Sequence, residues 1–178
     1  MAKELLTGLI RTIPNYPKEG IMFRDITTLL KDPQGFQVVI KMLQEKYQHA
    51  PIDVIAGIEA RGFILGSALA FALGKGFVPI RKKGKLPGKT ISQAYDLEYG
   101  SDVIEIHDDA IESGANVLLI DDLIATGGTA LGAITLIEKI GGKVYETAFV
   151  IDLPELGGAD KIKNKGHKVF TLVSFEGH

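Results

Sequence analysis

The chain contains no cysteine. That absence excludes disulfides, thiolate metal centres and cysteine nucleophiles, and leaves nothing that argues for secretion. Long apolar runs are missing too. Nothing approaches the roughly 20 residues needed to span a bilayer. The opening stretch, Met1 to Pro14, holds one short apolar run broken by Arg11, which is no signal-peptide core. A basic excess is also lacking: 20 Lys and Arg against 22 Asp and Glu leave a formal charge of -2. A general nucleic-acid binder ordinarily carries a strong positive balance, so neither a nucleic-acid nor a membrane partner is expected. A cytoplasmic protein is.

What remains is an ordinary globular composition, 46% hydrophobic and 24% charged over 178 residues. That length suits one domain with a sizeable core, taken here as residues 1–178. From Asp32 onward strand and helix patterns alternate. Asp32-Pro33 makes an N-cap and first turn, after which Phe36, Val39, Ile40, Leu43 and Tyr47 recur at helical spacing. Asp53 to Ile58, Phe77 to Ile80, Val117 to Ile120, Val144 to Ile151 and Val169 to Phe175 read as strands. Phe63 to Leu73 and Gly128 to Ile140 read as helices, the second stopped by Gly141-Gly142. Arg81 to Gln93 breaks the pattern with five cations and no periodicity, and is expected to be a long loop. Further strands are expected at Ala94 to Tyr99 and Val103 to His107. The fold class is therefore α/β, a mostly parallel twisted sheet flanked by helices, with ligands bound at the carboxyl ends of its strands.

One strand-to-helix turn carries chemistry. Val117 to Thr129 reads VLLIDDLIATGGT. Ala125, Thr126, Gly127, Gly128 and Thr129 are small enough for backbone N–H groups to converge on an anion, and the following helix adds its positive dipole end. No lysine sits in the turn, so it is not a Walker loop. Two carboxylates, Asp121 and Asp122, suit a ligand that also offers neutral donors, such as the hydroxyls of a ribose. Phosphate donors next to hydroxyl acceptors describe a ribose 5-phosphate. The bland alternative is a capped helix whose glycines serve only the turn.

This segment resembles the phosphoribosyl-diphosphate (PRPP) motif of the type I phosphoribosyltransferases. Gly20 to Thr27 (GIMFRDIT), Glu59 to Phe63 (EARGF), Ile80 to Gly88 (IRKKGKLPG), Tyr95 to Gly100 (YDLEYG) and Ser174 to His178 (SFEGH) resemble the adenine phosphoribosyltransferases in order and spacing. The resemblance implies a sheet under a small hood, built mainly from residues 1–30 and the C-terminal segment, with a mobile lid loop. It implies transfer of a phosphoribosyl group to adenine, giving AMP and diphosphate. By it, Asp121 and Asp122 hold the ribose hydroxyls and Ala125 to Thr129 wrap the 5-phosphate. Glu59, Ala60 and Arg61 face the diphosphate, aided by Arg81, Lys82 and Lys85. Phe23 stacks on the purine while Ile21, Met22 and Arg61 read its surroundings. Glu98, supported by Tyr99, handles the proton or the transition-state charge.

The same resemblance implies Mg2+ held mainly by substrate and water, with no ligand directly from protein side chains. It also implies a homodimer whose basic loop reaches the partner's site. Each assignment has a plainer counterpart: Phe23 as a core residue beside an Arg24–Asp25 ion pair, Arg61 as a surface arginine, the basic run as a solvated loop. The four histidines, His49, His107, His167 and His178, form no cluster in the chain and are expected to be structural. Gly157 to Asp160 departs from the glycine-arginine pattern of some relatives and is expected to lie outside the site. Competing readings are a 6-oxopurine enzyme of the same superfamily, a PRPP-sensing regulator, for which 178 residues leave little room, and an unrelated sugar-phosphate domain.

Overall fold

A computed structural model describes residues 1–97 and 99–177. The chain runs α1 (Ala2–Leu9), β1 (Arg11–Pro14), β2 (Met22–Asp25), α2 (Thr27–Lys31), α3 (Pro33–Tyr47), β3 (Val54–Ile58), α4 (Arg61–Leu73), β4 (Gly76–Lys82), β5 (Thr90–Asp96) and β6 (Ser101–His107). It continues through β7 (Asn116–Ile124), α5 (Gly128–Lys139), β8 (Lys143–Asp152), a 3-10 turn (Pro154–Leu156), α6 (Gly158–Asn164) and β9 (Val169–Ser174). The Asp32-Pro33 start holds as read: the Asp32 carboxylate accepts the Gly35 amide at 2.7 Å, and proline occupies the first turn of α3. Gly74 closes α4 in the left-handed region at φ 68°, which costs a glycine nothing.

Seven strands form one sheet in the order β5-β6-β4-β3-β7-β8-β9. β4, β3, β7, β8 and β9 run parallel, while β6 pairs antiparallel with both β4 and β5. From β3 the chain crosses through α4 to β4 on one side. β7 takes the other side of β3 and continues through α5 to β8. The strand order therefore reverses between β3 and β7, and a parallel sheet opens a ligand crevice at the carboxyl ends of the strands where that happens.

The interior strands are apolar on both faces because helices cover both. Leu118 and Ile120 of β7 join Leu6, Leu29, Val39, Leu43, Leu65 and Leu69 beneath α1 to α4. Val117 and Leu119 point the other way, into Ala133, Ile134, Ile137 and Ile162 of α5 and α6. Each fully buried leucine or isoleucine contributes about 1.5–3 kcal/mol of transfer free energy. That packing fixes the end of β7.

Three expectations change. The Arg81 to Gln93 loop is shorter, because β4 extends to Lys82 and β5 begins at Thr90, leaving 83–89 between them. β5 pairs with β6 along its whole length, ending at Asp96 rather than Tyr99. The N-terminal region, left without elements, holds α1, α2 and a separate two-stranded ribbon of β1 and β2. Arg24 on that ribbon donates to Thr12 Oγ1 at 2.6 Å and to the Glu176 carbonyl at 3.2 Å, tying it to the C-terminal segment.

Candidate active site

At the carboxyl end of β7 lies a cleft of about 230 Å³. Asp121 and Asp122 on β7 and the turn Ala125 to Thr129 form its floor, with Arg61 from the start of α4 on one wall and Phe23 from β2 on another. Buried Leu118 to Ile120 bring the two carboxylates to the strand's mouth. Gly127 stands in the left-handed region (φ 88°, ψ -2°), bending the chain so that α5 starts at Gly128. Its first-turn N–H groups have no intrahelical acceptor, leaving the donors and the positive dipole end at the cleft.

Close packing holds α4 against this floor. A Cβ on Gly62 would lie 3.0 Å from the Ile120 carbonyl oxygen and 3.1 Å from Asp121 Oδ1, so glycine lets the helix start approach the acids. Arg61 then reaches across and its Nε donates to Asp122 Oδ2 at 2.5 Å. Burial works against the Arg61 charge, but Asp122, the bond between them and Asp121 outweigh it and raise its pKa. Asp121 accepts the Asp122 amide at 2.8 Å. Its accessible surface is only partly lost, yet protein atoms crowd its carboxyl on every side. This desolvation, with the Asp122 carboxylate adjacent, pushes the Asp121 pKa well above the usual carboxylate range.

Glu59, Ala60, Arg81 and Lys82 stand beside the cleft rather than lining it. Glu59 Oε1 accepts from Arg81 Nε at 3.1 Å and from the Lys82 amide at 2.7 Å, joining the ends of β3 and β4. The Glu59-Ala60 peptide is cis. Lys82 Nζ lies 3.6 Å from Asp102 and Lys89 Nζ 3.6 Å from Asp108, so acids across the hairpin partly neutralise the basic run. Among the described residues, Lys83 and Lys85 make no ion pair and are exposed. Ile21 and Met22 lie at the ribbon edge next to Phe23, whose ring meets Tyr16 edge-on at 5.2 Å. The Arg24–Asp25 pair of the plainer alternative does not form: Asp25 binds Arg11, at 2.5 Å from Nη2, and Thr27. Those partners keep the Asp25 pKa low despite its burial.

Glu98 lies outside the described residues. Tyr99 is 65% exposed, with the Lys18 ammonium 3.9 Å from its ring centroid. The buried tyrosine of that hairpin is Tyr95, facing α5 beside Thr129; burial, with the Asp102 carboxylate nearby, raises its phenol pKa. Residue-type reasoning passed over it because Tyr-Asp-Leu-Glu-Tyr offers two tyrosines and no burial signal to choose between them. Gly158 was passed over as well. The Gly157 to Asp160 segment lines no part of the cleft but packs against its back: the Gly158 amide donates to the Ala125 carbonyl at 2.9 Å, behind the Ala125 to Thr129 turn.

The sheet reverses its strand order beside a carboxylate pair and a glycine-bent turn that opens a helix, the place where parallel α/β sheets take phosphorylated ligands. The profile of the phosphoribosyl transferase domain matches residues 25–174. Adenine phosphoribosyltransferase of Chlorobium luteolum is 66% identical over 170 residues, 94% of this chain and 96% of that protein. Two solved adenine phosphoribosyltransferases superpose closely. That of Rhodothermus marinus has a TM-score of 0.92 and 48% identity, covering 98% of each chain. That of Saccharomyces cerevisiae, complexed with D-2,5-dideoxy-2,5-imino-altritol 1,6-bisphosphate and adenine, has a TM-score of 0.89 and 43% identity, covering 96% of this chain and 98% of its own. The chain belongs to the phosphoribosyl transferase family and, within it, to the adenine phosphoribosyltransferases.

Proposed function

We propose that this enzyme transfers the 5-phosphoribosyl group of 5-phospho-α-D-ribose 1-diphosphate to adenine, giving AMP and diphosphate, a purine-salvage reaction of the cytoplasm. The observation that carries the reading is the shared cleft. A glycine-bent turn at Ala125 to Thr129, two carboxylates and a half-buried aromatic line one space, the groups that a phosphate, a ribose and a base call for.

Asp121 and Asp122 accept the ribose hydroxyls. The Arg61 guanidinium offsets their charge so that a diphosphate is not repelled, and has N–H donors to spare beyond the one on Asp122. In the reaction the C1–O bond breaks with its electron pair leaving on diphosphate, through an oxocarbenium-like transition state. Adenine N9 forms the new bond from the opposite face, which inverts the anomeric carbon, and then loses its proton. Glu98, with Tyr99, is the residue we assign to that proton or to the developing charge. Phe23 stacks on the adenine ring, and backbone groups near Ile21 and Met22 read its edge. The residues 83–89 and the segment 94–100 close over the reacting atoms and exclude water, while Arg81, Lys82 and Lys85 draw in the diphosphate.

Mg2+ is the cofactor of this reading. Phosphoryl oxygens and water are the ligands a small hard cation prefers, and a bound diphosphate brings the first of these. When bound with the diphosphate it supplies charge neutralisation on the leaving group.

We further propose a homodimer. On α4, Ile64 is 45% exposed and Phe71, two turns on, is 90% exposed, an apolar stripe that water disfavours. The Arg81 guanidinium lies 5.6 Å from the Phe63 ring at the head of the same helix, so the basic loop rises beside that stripe. The test of the reaction is turnover with adenine, hypoxanthine, guanine and xanthine side by side. AMP formation from adenine is expected to dominate, and preferred turnover of a 6-oxopurine would contradict the assignment.

A further inference from the structure

The anion turn is backed by glycine on its inner side. A Cβ on Gly158 would lie 2.4 Å from the Ala125 carbonyl oxygen, 2.7 Å from the Gly127 amide nitrogen and 2.9 Å from the Thr126 carbonyl carbon. Reciprocally, a Cβ on Gly127 would lie 2.9 Å from Gly158 Cα. Every atom in this contact is backbone, so no side-chain rotation relieves a clash. Backbone conformation is not the reason for glycine here, since Gly158 is absent from the left-handed residues of the chain. Space is. The Gly158 amide also holds the Ala125 carbonyl at 2.9 Å. A peptide whose oxygen is pinned toward α6 leaves its turn free to aim N–H groups at the cleft. Gly157, one residue earlier, makes a contrast: its φ is 78°, yet a Cβ there would meet nothing within 4 Å.

We infer that Gly158 is a positioning residue for the seat of the 5-phosphate: its bare backbone and its amide together set the curvature with which Ala125 to Thr129 receives a ribose phosphate monoester. The inference rests on the phosphoribosyl reading of the cleft. A methyl group at position 158 forces the turn and the start of α6 apart, because backbone contacts of 2.4–2.9 Å are closer than a Cβ tolerates, and oriented N–H donors lose strength steeply with such misplacement. The effect is confined to the phosphate end. The base is held by another element, β2, and does not feel it.

The experiment compares full-length Gly158→Ala and Gly157→Ala with the wild type in three measurements: KM for PRPP, KM for adenine at saturating PRPP, and calorimetric binding of AMP. For Gly158→Ala the PRPP KM and the AMP Kd are expected to rise by about 10- to 100-fold while the adenine KM stays within about twofold. Gly157→Ala, strained by its φ alone, is expected to melt lower but to keep both phosphate-ligand constants within about threefold. Unchanged constants in Gly158→Ala, or equal losses in Gly157→Ala, would overturn the inference. Should Gly158→Ala fail to fold, hydrogen exchange on the wild type decides: saturating AMP is expected to slow exchange of the Gly158 amide, and an unaltered rate overturns the inference. Wild-type protein that binds no AMP overturns the phosphoribosyl reading itself, and this inference with it. AMP binding by the wild type with an unaffected Gly158→Ala overturns this inference alone.

Discussion

Arg61 donates through Nε to Asp122 at 2.5 Å, joining the head of α4 to the mouth of β7 across the point where the strand order reverses. Asp122 is 6% exposed, so it depends on that partner. Arg61→Gln is expected to cost about 1–2 kcal/mol in urea unfolding, a value kept low because Arg61 is nearly half exposed and water screens the pair. The same change leaves two acids facing a diphosphate, and kcat/KM for PRPP is expected to fall on the order of a hundredfold. Full stability together with full activity would remove Arg61 from both roles.

Asp121 links stability to pH. Its folded pKa lies above the unfolded value of about 3.9, so its favourable contribution is complete below that value and is lost as pH rises through the folded pKa. Toward neutral pH the desolvated carboxyl therefore costs stability. Asp121→Asn, which keeps an oxygen for the Asp122 amide, is therefore expected to melt higher than the wild type at pH 7–8, by about 2–4 °C for each kcal/mol recovered. The gain disappears toward pH 4, and AMP binding weakens. A melting series that places the variant below the wild type throughout would contradict the burial cause.

The proposed stacking of Phe23 on the base is tested by comparing the two substrates. Its ring is only half buried and touches Tyr16 at its edge, so truncation leaves the fold intact. For Phe23→Ala the adenine KM is expected to rise roughly tenfold, the scale of a lost aromatic stack, with the PRPP KM unchanged. Equal losses for both substrates would mean that the ribbon supports the site generally and does not stack on the base.

The proposed homodimer is tested on the α4 stripe. Phe71→Glu puts a charge at its most exposed point, and sedimentation at micromolar concentration is expected to change from dimer to monomer. A wild-type monomer, or a dimer unaffected by the substitution, would contradict that use of the surface.

The elements legible in the chain were those with local causes. α3 follows from Asp32-Pro33 and its apolar spacing, and the β7-turn-α5 unit from thirteen consecutive residues. The β1–β2 ribbon escaped because four-residue strands carry too little alternation to read. Its ion pair escaped for another reason: Arg11 and Asp25 meet through strand register, whereas Arg24 and Asp25 are adjacent only in the chain. Gly158 and Ala125 are brought together by β8 and the turn after it, and nothing in either local sequence announces the contact. Burial is the remaining gap. Tyr95 and Tyr99 look alike in the chain and differ only once β5 is laid against α5.

In the proposed reaction, one bend after a buried strand seats a sugar phosphate and the acids before it hold the sugar. A crystal structure with AMP measures this directly. The 5-phosphate is expected within hydrogen-bond distance of the backbone amides of residues 126–129, with both ribose hydroxyls on Asp121 and Asp122 and the adenine against Phe23. AMP bound elsewhere, with that turn free of phosphate, would contradict the account.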